Sequence, residues 1–181
     1  MLRILRLLVL SSSVAISACA TMNVSSHVQQ GLDFRQFHTW TWGPADALPA
    51  SDARMDNPFF QDHFQGAVER EMTARGLTQT VSEGDVADLL VHYHANIATS
   101  IEPAHGDPTS GACYDENCNV RVFEREVGTI VVDVVDGRTN RLIWRGWAQT
   151  PVAGVIEDPG KFQKRIQAAV TQMFQHFPRT I

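Results

Sequence analysis

Apolar and polar positions alternate along the chain with two periods, and the switches between them mark the elements. His38, Trp40 and Trp42 alternate with Thr39 and Thr41, the period-two pattern of aromatic and β-branched residues that marks a strand. Gly43-Pro44 stops it, and residues 44–56, rich in Ala, Pro, Asp and Ser, read as a loop. Asn57-Pro58 then supplies a helix cap followed by proline at the first helical position. Phe60, Phe64, Ala67, Val68 and Met72 recur at helical spacing, and Gly76 stands where a terminal glycine belongs, so a helix is predicted over 58–75.

Three further strands are predicted at Val86–Ala98, Val120–Val135 and Arg141–Thr150. Residues 136–140, Asp-Gly-Arg-Thr-Asn, form a short hairpin connection between the last two. Asp158-Pro159 opens a second helix with a stripe of Phe162, Ile166, Ala169, Val170, Met173, Phe174 and Phe177, ended by Pro178. The order β-α-β-β-β-α predicts an α/β (α+β) two-layer sandwich: a mostly antiparallel sheet with both helices packed on one face. Both aromatic stripes are expected to be core.

The first residues obey a different pattern. Arg3 and Arg6 precede the apolar run Leu7-Leu8-Val9-Leu10, and small residues lead to a cysteine. This is a secretory signal, too short to span a bilayer, which needs about 20 apolar residues. Ile16-Ser17-Ala18-Cys19 resembles the bacterial lipobox, in which the cysteine becomes the acylated first residue of the mature chain. Two or more acyl chains such as palmitate hold a protein stably, at about 0.8 kcal/mol per buried methylene. Ala20, a non-Asp residue after the cysteine, resembles the signal for the outer membrane. The expected organisation is a signal peptide at 1–18, an acylated Cys19 with tether at 19–30 and one periplasm-facing domain at 31–181. The tether has room for a strand at Val24–Val28.

Composition sharpens this picture. The chain has 181 residues, 44% hydrophobic and 19% charged, with net charge −5. These values fit a globular domain and exclude a generic basic nucleic-acid binder. Loss of Arg3 and Arg6 with the signal would take the charge to −7. There are three cysteines, an odd number. With Cys19 acylated, Cys113 and Cys118 remain, and in an oxidising compartment they are expected to form a disulfide. A loop that short gains only about 2 kcal/mol by closure, so the bond would stiffen the loop. A metal site and a redox-active pair are the alternatives.

The order of motifs carries a family resemblance. Asp33-Phe34…Phe37…Thr39-Trp40…Trp42 leads to a helix ending Arg75-Gly76-Leu77, then Ala87-Asp88-Leu89-Leu90-Val91. Asp133…Asp136…Thr139…Leu142-Ile143-Trp144-Arg145-Gly146 and Ala148 follow. Over about residues 22–177 this resembles the bacterial lipoprotein family called domain of unknown function 4136. The resemblance implies a signal-anchored periplasmic α/β domain, and it supplies no activity and no functional residues. The loop at 99–121 is longer than the family leads one to expect.

Candidate chemistry is sparse. His92 and His94 are two apart on a predicted strand, so their imidazoles share a face with Asn96 and Leu90, while Leu89, Val91, Tyr93, Ala95 and Ile97 face inward. With Asp133 or His105 as a third ligand they could hold Zn or Cu. The other reading is the solvated side of a half-covered sheet. Asp115, Asn117, Asn119 and Glu126 echo a calcium loop, but Val120 occupies the position of its required glycine. Asp133 and Asp136 sit beside a hairpin and read as turn chemistry. Arg141, Ile143, Arg145 and Trp147 alternate with Leu142, Trp144, Gly146 and Ala148, which places the first set on the open face. Arg145 and Trp147 there suit a partner surface, since Arg and Trp are enriched at binding hot spots. Gly-x-Ser-x-Gly, phosphate-loop and His-Glu-x-x-His motifs are absent from the sequence. The expected function is therefore a membrane-anchored, non-catalytic interaction domain of the cell envelope. Its partner would be an envelope protein or peptidoglycan.

Overall fold

In the computed structural model the described residues are 22–44, 52, 54–55, 57–80, 87–103 and 122–180. One six-stranded sheet carries two helices. Its strands are β1 (Asn23–Val28), β2 (Thr39–Trp42), β3 (Thr78–Gln79), β4 (Leu89–Pro103), β5 (Val122–Asp136) and β6 (Arg141–Pro151). The helices are α1 (Pro58–Thr73) and α2 (Pro159–Phe174). The spatial order is β1-β6-β5-β4-β2-β3, with antiparallel pairing from β1 to β4 and parallel pairing of β2 with β4 and β3. The mixed α+β class and the mostly antiparallel sheet are as expected. The strand allowed for at Val24–Val28 within the tether segment forms as β1 at one edge, and the element order gains the two-residue β3 at the other.

The helices begin where the sequence places them. Asn57 Oδ1 accepts the Phe60 N–H at 2.9 Å, and Asp158 Oδ1 accepts the Lys161 N–H at 3.0 Å. Each is followed by proline at the first helical position, where no N–H is needed. Both helices end short of expectation. Helix α1 stops at Thr73 and the chain reverses through Gly76 at φ +83°. Helix α2 stops at Phe174, yet Phe177 in the following turn is still buried.

The core lies between the helices and one sheet face. Phe60, Phe64, Val68 and Met72 of α1 and Ile166, Val170, Met173 and Phe174 of α2 meet Trp40, Leu89, Val91, Val132, Val134 and Trp144. Each large apolar side chain buried this way contributes about 1.5–3 kcal/mol before entropy. At the C-terminal ends of the helices, Arg75 ties α1 to α2. It pairs with Glu71 at 2.7 Å, donates to the Phe174 carbonyl and lies over the Phe174 ring, 5.2 Å from its centre.

Asp88 joins β2 to β4. Its carboxylate accepts the His38 and Thr39 N–H groups at 2.9 and 3.1 Å, and its own N–H donates to Thr39 Oγ1 at 3.0 Å. Asp136 does turn chemistry as expected: Oδ1 accepts the N–H groups of Arg138 and Thr139. Gly137 is glycine for want of space, because a Cβ there would stand 2.3 Å from the Ala87 carbonyl oxygen.

One expectation about side-chain direction is overturned. Val134 pairs with Trp144 but Val135 pairs with Leu142, so Ile143 is the extra residue of a β-bulge. The bulge puts Ile143 into the core at 2% exposure and turns Leu142 outward at 41%, opposite to simple alternation. The Ile143 carbonyl accepts the Gln29 N–H at 2.8 Å, which seats the end of β1 on the bulge.

Candidate functional site

The sheet face opposite the helices is built from the outward positions of four strands, and register aligns them in rows. His27, Arg145, Asp133 and His92 form one row, from β1 through β6 and β5 to β4. Ser25, Trp147, Val131 and His94 form the next, and Asn23, Gln149, Thr129 and Asn96 the third. Leu90, His92, His94 and Asn96 therefore stand together on this face, with Leu89, Val91, Tyr93, Ala95 and Ile97 on the other, as their alternation predicts. Tyr93 packs 4.7 Å from the Phe64 ring, and Ala95 and Ile97 also pack on the core.

An ion pair stands at the centre of the first row. Arg145 donates from Nε to Asp133 Oδ1 and from Nη2 to Oδ2, both at 2.6 Å. This is the fork-on-fork geometry in which charge-assisted hydrogen bonds are strongest. The carboxylate raises the Arg145 guanidinium above its ordinary pKa, with burial working the other way. Asp133 is only 7% exposed while the Arg145 side chain is 46% exposed, so the pair shows solvent its cationic side. Trp147, 36% exposed, lies one row further along β6.

The possible metal ligands His92, His94 and Asp133 are not brought together as a metal-holding group. His92 and Asp133 are register partners, but the His92 ring lies against Gly43, where a Cβ would stand 2.2 Å from Cε1. Asp133 meanwhile gives both oxygens to Arg145 on its other side. Among the described residues no group of three or more His, Cys, Asp or Glu is placed to hold a metal ion. Cys19, His105, Cys113 and Cys118 lie outside the described residues, as does most of the echoed calcium loop. Sequence reasoning missed the His92–Gly43 contact and the place of His27 in the row. The glycine after Trp42 was visible only as a strand stop, and β1 had no assigned neighbour.

A second cluster lies at the end of the sheet where β1 begins. Arg54 binds Asp52 at 2.7 Å and Glu126 at 2.8 Å, fixing the approach to α1 against β5. Hydrogen bonds from Arg54 hold the Asp52 and Glu126 carboxyls below their ordinary pKa values. Arg54 is exposed, the two carboxylates are partly buried, and the geometry is that of a structural ion-pair network.

No curated protein matches the chain in sequence. Solved structures share its fold. A PDZ domain protein from Parabacteroides distasonis superposes with a TM-score of 0.54 at 16% identity, over 88% of this chain. This chain spans only 37% of that protein. A DUF4136 family protein from Bacteroides thetaiotaomicron superposes with a TM-score of 0.52 at 14% identity, covering 88% of this chain and 97% of its own. A family model described as Domain of unknown function (DUF4136) matches residues 24–179, from the start of the edge strand β1 to beyond the end of α2, and the chain belongs to that family.

Proposed function

We propose that the chain is a lipoprotein of the bacterial outer membrane, held by acyl chains on Cys19 and facing the periplasm. It works there by binding, without catalysis. The observation that carries the binding reading is the open sheet face, on which Arg145 and Trp147 stand in adjacent rows of one strand. An exposed indole beside a guanidinium held rigid by Asp133 offers apolar area and directed donors at low entropic cost. The partner is an envelope protein or peptidoglycan. The Ile16-Ser17-Ala18-Cys19 signal supports the address. The alternative, a Zn or Cu site on His92 and His94, lacks the acidic ligand it needed, because Asp133 is committed to Arg145.

The test has two arms. Cys19→Ser should abolish acylation and release the protein from the membrane fraction; normal maturation and retention would overturn the anchor. Cross-linking and capture from solubilised envelopes, with isolated peptidoglycan sedimented in parallel, should yield a partner that Trp147→Ala loses. Capture unchanged by Trp147→Ala would overturn this face as the binding surface.

A further inference from the structure

The anchor and the fold together constrain how the domain meets the bilayer. Four chain steps separate Cys19 from Asn23, the first residue of β1. Fully extended they span at most about 14 Å. The sheet continues past Asn23 in the direction of the anchor. Asn23 shares a row with Gln149, Thr129 and Asn96, and from that row β4 and β5 stay paired through to Pro103 and Val122. Those seven steps extend about 24 Å at strand rise. Only β4 and β5 continue beyond Pro151, the last residue of β6, as a two-stranded arm from Thr99↔Glu126 to Pro103↔Val122. The arm is longer than the tether. A domain standing upright on Cys19 would drive the arm into the bilayer, and a tilted one lays it on the surface.

The side chains at this end suit that contact. Ile101, on the arm, is 65% exposed, the most exposed large apolar residue among those described. Phe59, 39% exposed, stands in the first turn of α1, which Arg54 fixes to Glu126 at the base of the arm. The chain has only two lysines, Lys161 and Lys164, and both lie in the first turns of α2. That helix starts eight residues after β6 reaches the same end of the sheet, and it runs away toward Trp144, which its Phe174 meets at 5.2 Å. Lysine stems lie along apolar surface while their ammonium groups reach phosphate oxygens, and Lys161 would do so from an exposed pair with Asp158 at 3.4 Å.

We infer that this end of the domain is a membrane-docking surface, on which Ile101 and Phe59 enter the headgroup–acyl boundary and Lys161 and Lys164 meet lipid phosphates. The partner is the bilayer that holds the domain's own anchor, so the inference rests on acylation of Cys19. Docking would fix the tilt of the sheet and with it the direction in which Arg145 and Trp147 face.

The experiment uses the acylated chain in vesicles of phosphatidylethanolamine and phosphatidylglycerol. An environment-sensitive fluorophore is attached at Ile101→Cys, with Thr139→Cys at the far hairpin as the control and with Cys113 and Cys118 replaced by Ser. The label at 101 should brighten severalfold, shift to the blue and be quenched by brominated lipid, while the label at 139 should not. Equal emission at the two sites in an acylated protein would overturn the docking end and leave the anchor standing. A mature N-terminal peptide whose mass shows Cys19 without lipid would overturn the anchor itself. Amide exchange on the chain with its native Cys113 and Cys118 gives an independent reading. Residues 99–103 should exchange more slowly in vesicles than in the soluble Cys19→Ser protein, with 137–141 unchanged, and unaltered exchange at 99–103 would overturn the inference.

Discussion

Asp133 and Arg145 face each other across β5 and β6 with two hydrogen bonds of 2.6 Å, and the carboxylate is the buried partner. The asymmetry decides what each substitution costs. Arg145→Ala leaves a carboxylate with little water and no donor. Because the guanidinium side is half exposed, the loss is smaller than for a fully buried pair, about 1–2 kcal/mol. Asp133→Asn keeps the shape and removes the buried charge, so it should cost less. In urea unfolding, adding Asp133→Asn to Arg145→Ala should recover part of the loss. Strictly additive losses would show that the pair is not coupled. Arg145→Ala is for the same reason a poor probe of partner binding, and Trp147→Ala is the cleaner one.

Asp88 should give the domain part of its acid sensitivity. Burial raises the pKa of its carboxyl, but the His38 and Thr39 N–H groups, the Thr39 side chain and the Arg138 charge outweigh it and hold the carboxyl below the ordinary value. The unfolded chain therefore takes up this proton at higher pH than the folded one. The contribution is complete above the unfolded value, about pH 4, and disappears as pH falls through the lower folded value. Asp88→Asn should cost about 1–2 kcal/mol at neutral pH. It should also flatten the acid limb of the stability profile. An unchanged acid limb would assign the sensitivity to other carboxylates.

Gly146 is glycine because of Trp144. The two residues share the inner face of β6, and the Trp144 ring folds back over Gly146, where a Cβ would stand 2.3 Å from Cη2. Trp144 is fully buried against Phe174 and Phe177 and has nowhere to retreat. Gly146→Ala should destabilise by about 1–3 kcal/mol, the range for overpacking a filled site. Native-like stability in thermal unfolding would mean that the ring relaxes freely.

What the sequence made legible follows from the range of the interactions involved. Helix starts are written in two residues, Asn57-Pro58 and Asp158-Pro159, and the inner and outer sets of β4 are written in its period of two. Strand order is not local. Nothing in Asn23–Val28 says that it crosses the sheet to pair with β6, and the two residues of β3 are too few to show a period. The open face was legible as a face through Arg145 and Trp147. The partner of Asp133 was not, because an open-face carboxylate beside histidines and one beside an arginine look the same until register is known. The motif Ala87-Asp88-Leu89 carried the family resemblance without its reason, which is the bond from Asp88 to β2.

The bulge at Ile143 gives the sharpest contrast between pattern and structure. By alternation Leu142 belongs to the core and Ile143 to the open face, alongside Arg145 and Trp147. The extra residue opposite Val134 and Val135 reverses Leu142 and Ile143 and leaves Trp144 onward in phase. Leu142→Asp should therefore be nearly neutral, within about 0.5 kcal/mol, as for a surface position. Ile143→Ala should cost about 2–5 kcal/mol, since it empties a site walled by the core. Paired urea titrations of the two variants separate the alternatives directly. If Leu142→Asp proved the more damaging substitution, the bulge would be misplaced. The seat of β1 on the Ile143 carbonyl would be misplaced with it.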